Sequence, residues 1–358
     1  SKVIVSISDV APPTQNYLSN KQVTANDTVL IVPHSSKLSD EFKDRVMIAD
    51  TFKQAKYYRE NNPDEKLILQ RGNLVVPQYN TQGELRAFET IAYNGGKYAL
   101  KDADKKGLMT TLGNLENGKP IIITEGYATG ATLHEHTRKD KPAVVIAFGR
   151  GGLMNVTQSL REKYPDSKIY IGADNDHQKP LEIDPLTKQP KINQGLEDAR
   201  AVANVVSNTH LLVPQFEKGD TGKDWNDVYV DKGAEEFKRQ IIEQLNAINR
   251  PIVAEKDKEK NITQAPIGKA QEPVQQQPSN VYDRLATNVI KKNYPAMPEE
   301  NLKSIEVWRN ELPNKYDEPL KLQYALERLE AKLPDYAKGE ILPLPKTEVP
   351  SLEKGVGR

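Results

Sequence analysis

The sequence predicts an α/β domain built on a parallel sheet, preceded by a mixed α+β region and followed by a small helical bundle. Three observations carry this. Two short apolar runs, PIIIT (120–124) and KIYIGA (168–173), each stop abruptly at carboxylates. A helical pattern follows the first run, and buried strands alternating with helices imply a parallel sheet with crossovers. Residues 251–280 are rich in Gln, Lys and Pro with almost no large apolar side chain, which reads as a flexible linker before a last segment with helical spacing.

The first region, residues 1–118, reads as follows. Val3-Ile4-Val5 suits a short strand or an artificial junction, and Val29 to Val32 a better strand. Residues 40–61 have helical spacing, with Phe42, Val46, Met47, Ile48 and Phe52 on an apolar side. Leu67-Ile68-Leu69 and Leu74-Val75-Val76-Pro77 are strand candidates, and Gly83 turns the chain into a hairpin-like continuation over 85–93. The segment GGKYALKDADKKG (95–107) carries Lys97, Lys101, Lys105 and Lys106. It is either a solvated charged loop or a phosphate-facing patch.

In the central region, 119–250, Ile121-Ile122-Ile123-Thr124 is a β-branched, uncharged run and so a buried strand, followed at once by Glu125-Gly126 and a helix through Leu133. Ala143 to Phe148 is the second strand, and Gly149-Arg150-Gly151-Gly152 allows close backbone approach, with Arg150 a candidate to meet a phosphate. After a helix over 153–164, the third strand ends at Asp174-Asn175-Asp176. Residues 177–191, broken by Pro180, Pro185 and Pro190, form a long loop beside them. A helix over 196–206, a strand over 210–214 and an amphipathic helix over 233–249 close the region. His134 and His136, two apart on a helix, diverge and read as surface residues rather than zinc ligands.

In an open α/β sheet, residues just past the carboxyl ends of the strands line the ligand crevice. Glu125, Asp174 and Asp176 therefore meet at one edge. Three carboxylates repel one another unless a cation sits between them, and oxygen ligands suit Mg²⁺ or Mn²⁺, the usual partners of phosphate chemistry.

Glu-Gly after one apolar strand and Asp-x-Asp after a later one, about fifty residues on with a βα unit between, resembles the Toprim domain of bacterial and plasmid primases, topoisomerases and some nucleases. The order of strand, hairpin, Gly-Gly-Lys and basic loop before Glu125 resembles the nucleic-acid and nucleotide-gripping half of plasmid and phage primases. The resemblance implies contacts to template or nucleotide from Arg71, Arg86, Lys97, Lys101 and Arg150. Gly222-Lys223-Asp224-Trp225-Asn226-Asp227 is similar to an element that sits where such enzymes carry further metal-binding aspartates. Asp224 is then the first candidate ligand and Asp227 the second, with a helix cap as the alternative role for Asp227. One departure matters: where replicative primases carry an aspartate four residues after the glutamate, this chain has Thr129.

Composition narrows the function. The 358 residues carry 50 Lys+Arg and 50 Asp+Glu, so nucleic acid must be met by local basic patches, not a general field. With no cysteine there is neither a disulfide nor the cysteine zinc module that many primases carry, and zinc is not expected. No run approaches a membrane span and no signal peptide is visible, which points to the cytoplasm. The first residue is Ser, so the chain reads as a processed or excised fragment.

Residues 281–338 have helical spacing through Leu285, Val289, Ile290, then Leu302, Ile305, Val307, Trp308, then Leu320, Leu322, Tyr324, Ala325, Leu326 and Leu329. About sixty residues is near the lower limit for a self-sufficient core. This segment is a candidate contact for a helicase or another replication or conjugation protein. Residues 339–358 read as a loose Pro-rich tail. Three functions follow from the resemblance: a primase-like nucleotidyltransferase acting on single-stranded DNA with ribonucleoside triphosphates, a metal-dependent nuclease with the same site, or a non-catalytic nucleic-acid-binding module. No GxxxxGK[ST] phosphate loop occurs in the chain.

Overall fold

The computed structural model describes residues 1–62, 65–100, 106–137, 142–186, 188–249, 281–315 and 319–339. Its first half contains α1 (Lys2–Ile7), β1 (Asp9–Val10), α2 (Asn16–Asn20), β2 (Leu30–Ile31), β3 (Val46–Ala49), α3 (Phe52–Glu60), β4 (Leu67–Gln70), β5 (Leu74–Tyr79), β6 (Leu85–Ile91), β7 (Lys97–Ala99) and β8 (Thr110–Leu112). The central part contains β9 (Ile121–Thr124), α4 (Tyr127–His136), β10 (Ala143–Ile146), α5 (Arg150–Lys163), β11 (Ile169–Gly172), α6 (Gln194–Val205), β12 (Thr209–Leu212), α7 (Trp225–Asp227) and α8 (Gly233–Asn249). The last part is helical: α9 (Val281–Arg284), α10 (Thr287–Asn293), α11 (Glu299–Lys315), α12 (Pro319–Ala331) and α13 (Leu333–Ala337).

The central sheet has the order β12-β11-β9-β10-β8, parallel throughout except for β8 at its edge. The uncharged strand sequences follow from burial on both faces. Ile121 and Ile123 join Ile169, Ile171 and Val145 in one cluster with Leu153 and Leu160 of α5 and Ala199 and Val202 of α6. Ile122, Val144, Ile146 and Tyr170 face the other way, onto Tyr127 and Ala131 of α4 and Phe237 and Ile241 of α8. Close approaches of this sheet and its helices rely on glycine. A Cβ at Gly152 would stand 2.0 Å from the Ala147 carbonyl, and one at Gly172 2.6 Å from Leu133.

The N-terminal sheet is antiparallel, in the order β1-β2-β5-β6-β7. Alternation sends Leu74, Val76 and Ile91 onto the α4 side of the central domain. It sends Val75 and Phe88 the other way, onto Ile48 of β3, Leu69 of β4 and Ile4 of α1. The N-terminal half therefore shares a core with the central domain.

Three expectations are corrected. Residues 40–61 are not one helix: Val46, Met47 and Ile48 lie in β3, paired in parallel with β4, and only Phe52–Glu60 is α-helical, its start fixed by a Thr51–Gln54 capping box. The β-branched content of 46–48 outweighs their helical spacing once β4 offers a partner. Val3, Ile4 and Val5 belong to α1, where Ile4 is buried. His134 is not on the surface: it is buried and its Nδ1 lies 2.7 Å from the Pro142 carbonyl, while His136 stacks on Tyr229 at 4.0 Å.

The C-terminal helices are held to the central domain. Val281, Leu285, Leu322, Leu326 and Leu329 lie in the same apolar cluster as α5 and α6, and α9 and α12 pack on α6. An Arg284–Glu330 pair at 2.6 Å ties α9 to α12. The proposed linker 251–280 and nearly all of the tail, 340–358, lie outside the described residues. Among the described residues, no helix is long and apolar enough to cross a membrane.

Candidate active site

Register brings the carboxylates together. Gly172 of β11 is level with Thr124 of β9, so Glu125 and the Ala173-Asp174 step leave neighbouring strands at the same height. The Glu125 carbonyl accepts from Gly149 N at 3.1 Å, which seats the Gly149-Arg150 turn beside it. Gly195, in the first turn of α6, lies under both acids. A Cβ there would stand 3.4 Å from Asp174 Cβ and 3.7 Å from Glu125 Oε1.

Asparagines set the Asp-x-Asp loop. Asn175 N donates to the Lys223 carbonyl (2.6 Å) and its amide to the Pro214 carbonyl (2.8 Å). Asn193 receives Asp176 N at 3.2 Å and donates to Asn175 Oδ1 at 2.8 Å. The bond to Lys223 brings the 222–227 loop against the Asp-x-Asp loop, and those of Asn193 tie that loop to the start of α6. A cleft of about 230 Å³ runs between Asp176, His177 and Lys179 on one side and Gly222 and Lys223 on the other.

Burial, the nearby Asp224 and then Asp176 push the Asp174 carboxyl up to about 7, against the pull of Lys97 and Lys223. Its Oδ1 is buried and accepts no hydrogen bond. An acceptor left like that is costly unless a cation or proton meets it. Asp224 is also raised, by burial and then by Asp227, while Thr129 beside it opposes the shift.

The structure sorts the sequence candidates. It gathers Glu125, Asp174, Asp176 and Asp224 with Lys97, whose Nζ lies 3.0 Å from the point where a Cβ on Gly126 would stand. Asp227 is turned to other work: its carboxylate holds Lys21 Nζ at 3.2 Å and Lys223 N at 2.9 Å. The helix cap considered for Asp227 belongs to Asp224, which accepts from Asp227 N at 2.9 Å. Arg71 sits after β4 beside Asp50. Arg86 lies 3.7 Å from Glu84, five residues along β6 from the Ile91 that pairs with Lys97, or about 17 Å of strand. Arg150 opens α5, with its side chain outside the described atoms, and Lys101 lies outside the described residues. Sequence reasoning missed Thr129 as a partner of Asp224, and Gly195, Asn193 and Lys223. The Asn-Gln-Gly that opens α6 was the available signal.

Among the described residues no three His, Cys, Asp or Glu side chains converge into a ready metal cage. The donors present are nonetheless all oxygens, and the unsatisfied Asp174 Oδ1 fits a hard cation better than a soft one.

Residues 120–235, which hold this sheet and its acids, match the Toprim domain family. The chain resembles Toprim primases of the plasmid type. It is 29% identical over 148 residues to a DNA primase TraC of Escherichia coli, covering 40% of this chain and 13% of that one. It is 30% identical over 140 residues to another protein of that name and organism, covering 38% and 9%. The chain thus spans a small part of the curated relatives it matches. Among solved structures, the primase fragment of the bacteriophage T7 primase-helicase aligns at 16% identity over 48% of this chain and 62% of that one, with a TM-score of 0.33. The DnaG primase catalytic domain bound to single-stranded DNA aligns at 14% over 48% and 51%, also with a TM-score of 0.33.

Proposed function

We propose that this chain is a primase-like nucleotidyltransferase that makes short RNA primers on single-stranded DNA by metal-dependent phosphoryl transfer, in plasmid, phage or conjugative replication. One observation carries the reading: Lys97, from the N-terminal sheet, reaches the Glu125-Gly126 turn of the Toprim domain. Two parts of the chain thereby build one site, with acids on one wall and a cation on the other.

Asp174 and Asp176 are the residues that would hold Mg²⁺ or Mn²⁺, with Asp224 behind them. Such an ion neutralises triphosphate charge and activates a hydroxyl when bound. Glu125 either joins that set or accepts the proton of the attacking 3′-hydroxyl. Lys97 meets the phosphates of the incoming ribonucleotide, and Arg150, at the start of α5, is a second candidate for that contact. Lys101, Arg71 and Arg86 remain candidates for the template. The chain acts in the cytoplasm, with residues 1–250 as the catalytic part and 281–338 offering a surface to a helicase or other replication or conjugation protein. Ribonucleotide incorporation on single-stranded DNA tests the reading: template-dependent primers that vanish in Asp174→Ala support it, and strand cleavage without synthesis replaces it with the nuclease.

A further inference from the structure

Among the described residues, four aromatic side chains are more than half exposed: Phe52 (60%), Tyr57 (61%), Tyr93 (52%) and Tyr98 (55%). All four lie in the N-terminal half, on α3 and around β7. Phe52 and Tyr57 share α3, and Tyr98 meets α3 through Arg59, so three of the four rings stand on neighbouring elements.

β7 is the edge strand of its sheet, and its residues alternate. Lys97 is level with Ile91, whose side is the face toward the Toprim domain, and its amine reaches Gly126. Tyr98 is level with Thr90 and Val75, on the opposite face toward the β3-α3-β4 layer. There the Arg59 guanidinium stands over its ring at 5.8 Å. The edge of this sheet thus joins a ring on one side to the acid site on the other. Along α3 the exposed Phe52, Lys53, Lys56, Tyr57 and Arg59 set two rings among three cations, and the one carboxylate of the helix, Glu60, lies 3.8 Å from Lys56.

We infer that the exposed side of α3 with Tyr98 is a stacking platform for single-stranded nucleic acid that leads over β7 to Lys97 and the carboxylates. The inference rests on the proposed priming function for its direction of travel, not for its chemistry. A protein partner of apolar character would not call for three cations among the rings. A single strand does: bases stack on the ring faces and the backbone phosphates meet Lys53, Lys56 and Arg59.

The test is fluorescence anisotropy of a labelled oligo-dT with the full chain, without metal or nucleotide. Tyr57→Ala and Tyr98→Ala should each weaken binding on the order of tenfold while leaving the salt dependence unchanged, because stacking releases no counterions. Tyr98→Phe should bind like the parent. An oligomer of abasic sites should bind parent and both alanine variants equally. Affinities unchanged within twofold for both alanine variants, or an equal loss on the abasic strand, would overturn the platform. Should one variant fail to fold, the other still decides. Tyrosine-dependent binding in a chain that makes no primers would sink the priming function and leave the platform standing.

Discussion

The Thr129 side chain lies beside the Asp224 carboxylate and opposes the rise that burial gives it. Thr129 is buried on α4 and Asp224 caps the helix at 225–227, so a strand-following helix and a distant loop are joined under the site. A hydroxyl adds no charge beside Asp224, whereas an aspartate at this position would need a cation between the two carboxylates.

Thr129→Asp should therefore lower the melting temperature in EDTA, since a second buried charge beside Asp224 costs several kcal/mol when nothing pairs with it. Mg²⁺ should restore most of the loss and stabilise the variant more than the parent. Melts with and without Mg²⁺ check this, and a variant indifferent to the ion would show that Thr129 and Asp224 stand outside the cation site.

Asp174 makes the metal-free fold pH-dependent. Its carboxyl is raised by burial first, to about 7. The folded state then holds that proton more tightly than the unfolded chain, whose value lies near 3.8. The stability it contributes is fully present below about pH 4 and is lost as pH climbs through about 7. Asp174→Asn removes this loss, so in EDTA the variant should melt higher than the parent at pH 8 and no higher at pH 5. An equal difference at both pH values would show that Asp174 is not perturbed in this way.

Gly195→Ala adds a methyl at ordinary contact distance from Asp174 and Glu125, inside a helix where alanine is favoured by about 0.5–1 kcal/mol. The fold should be kept or slightly strengthened, while Mn²⁺ affinity should fall about tenfold because the methyl fills space between the two acids. Titration of Mn²⁺ followed by electron paramagnetic resonance measures it; unaltered affinity would place the ion elsewhere.

From its composition, 251–280 should be cut by proteases before either flank. The two pieces should then stay together on gel filtration, because Leu285, Leu322 and Leu326 lie in the cluster of α5 and α6. Separation of the pieces without denaturant would mean that this shared core contributes little.

The sheet and its acids were legible because both are local: an uncharged β-branched run, then a carboxylate, twice. The helix over 40–61 was misread because Val46, Met47 and Ile48 satisfy helical spacing, and only the presence of β4, some twenty residues on, makes them a strand. The histidines were misplaced for a similar reason, since no pattern in the sequence announces that Tyr229 will stack on His136. The pairing of Asp227 with Lys21 spans 206 positions, and Lys97 reaches Gly126 from a separate sheet. Contacts of that range leave no periodicity to read.

The seating of α9 and α12 on α6 also sets the order of events in synthesis. Ala199, Val202 and Val205 reach the ribosome exit well before Leu322, Leu326 and Leu329, the residues that join them in one cluster. Until then the side of α6 that α9 and α12 cover stays apolar and open, at the pace of some 5–20 residues per second. A chain stopped anywhere between α8 and α12 would be released with that side of α6 uncovered.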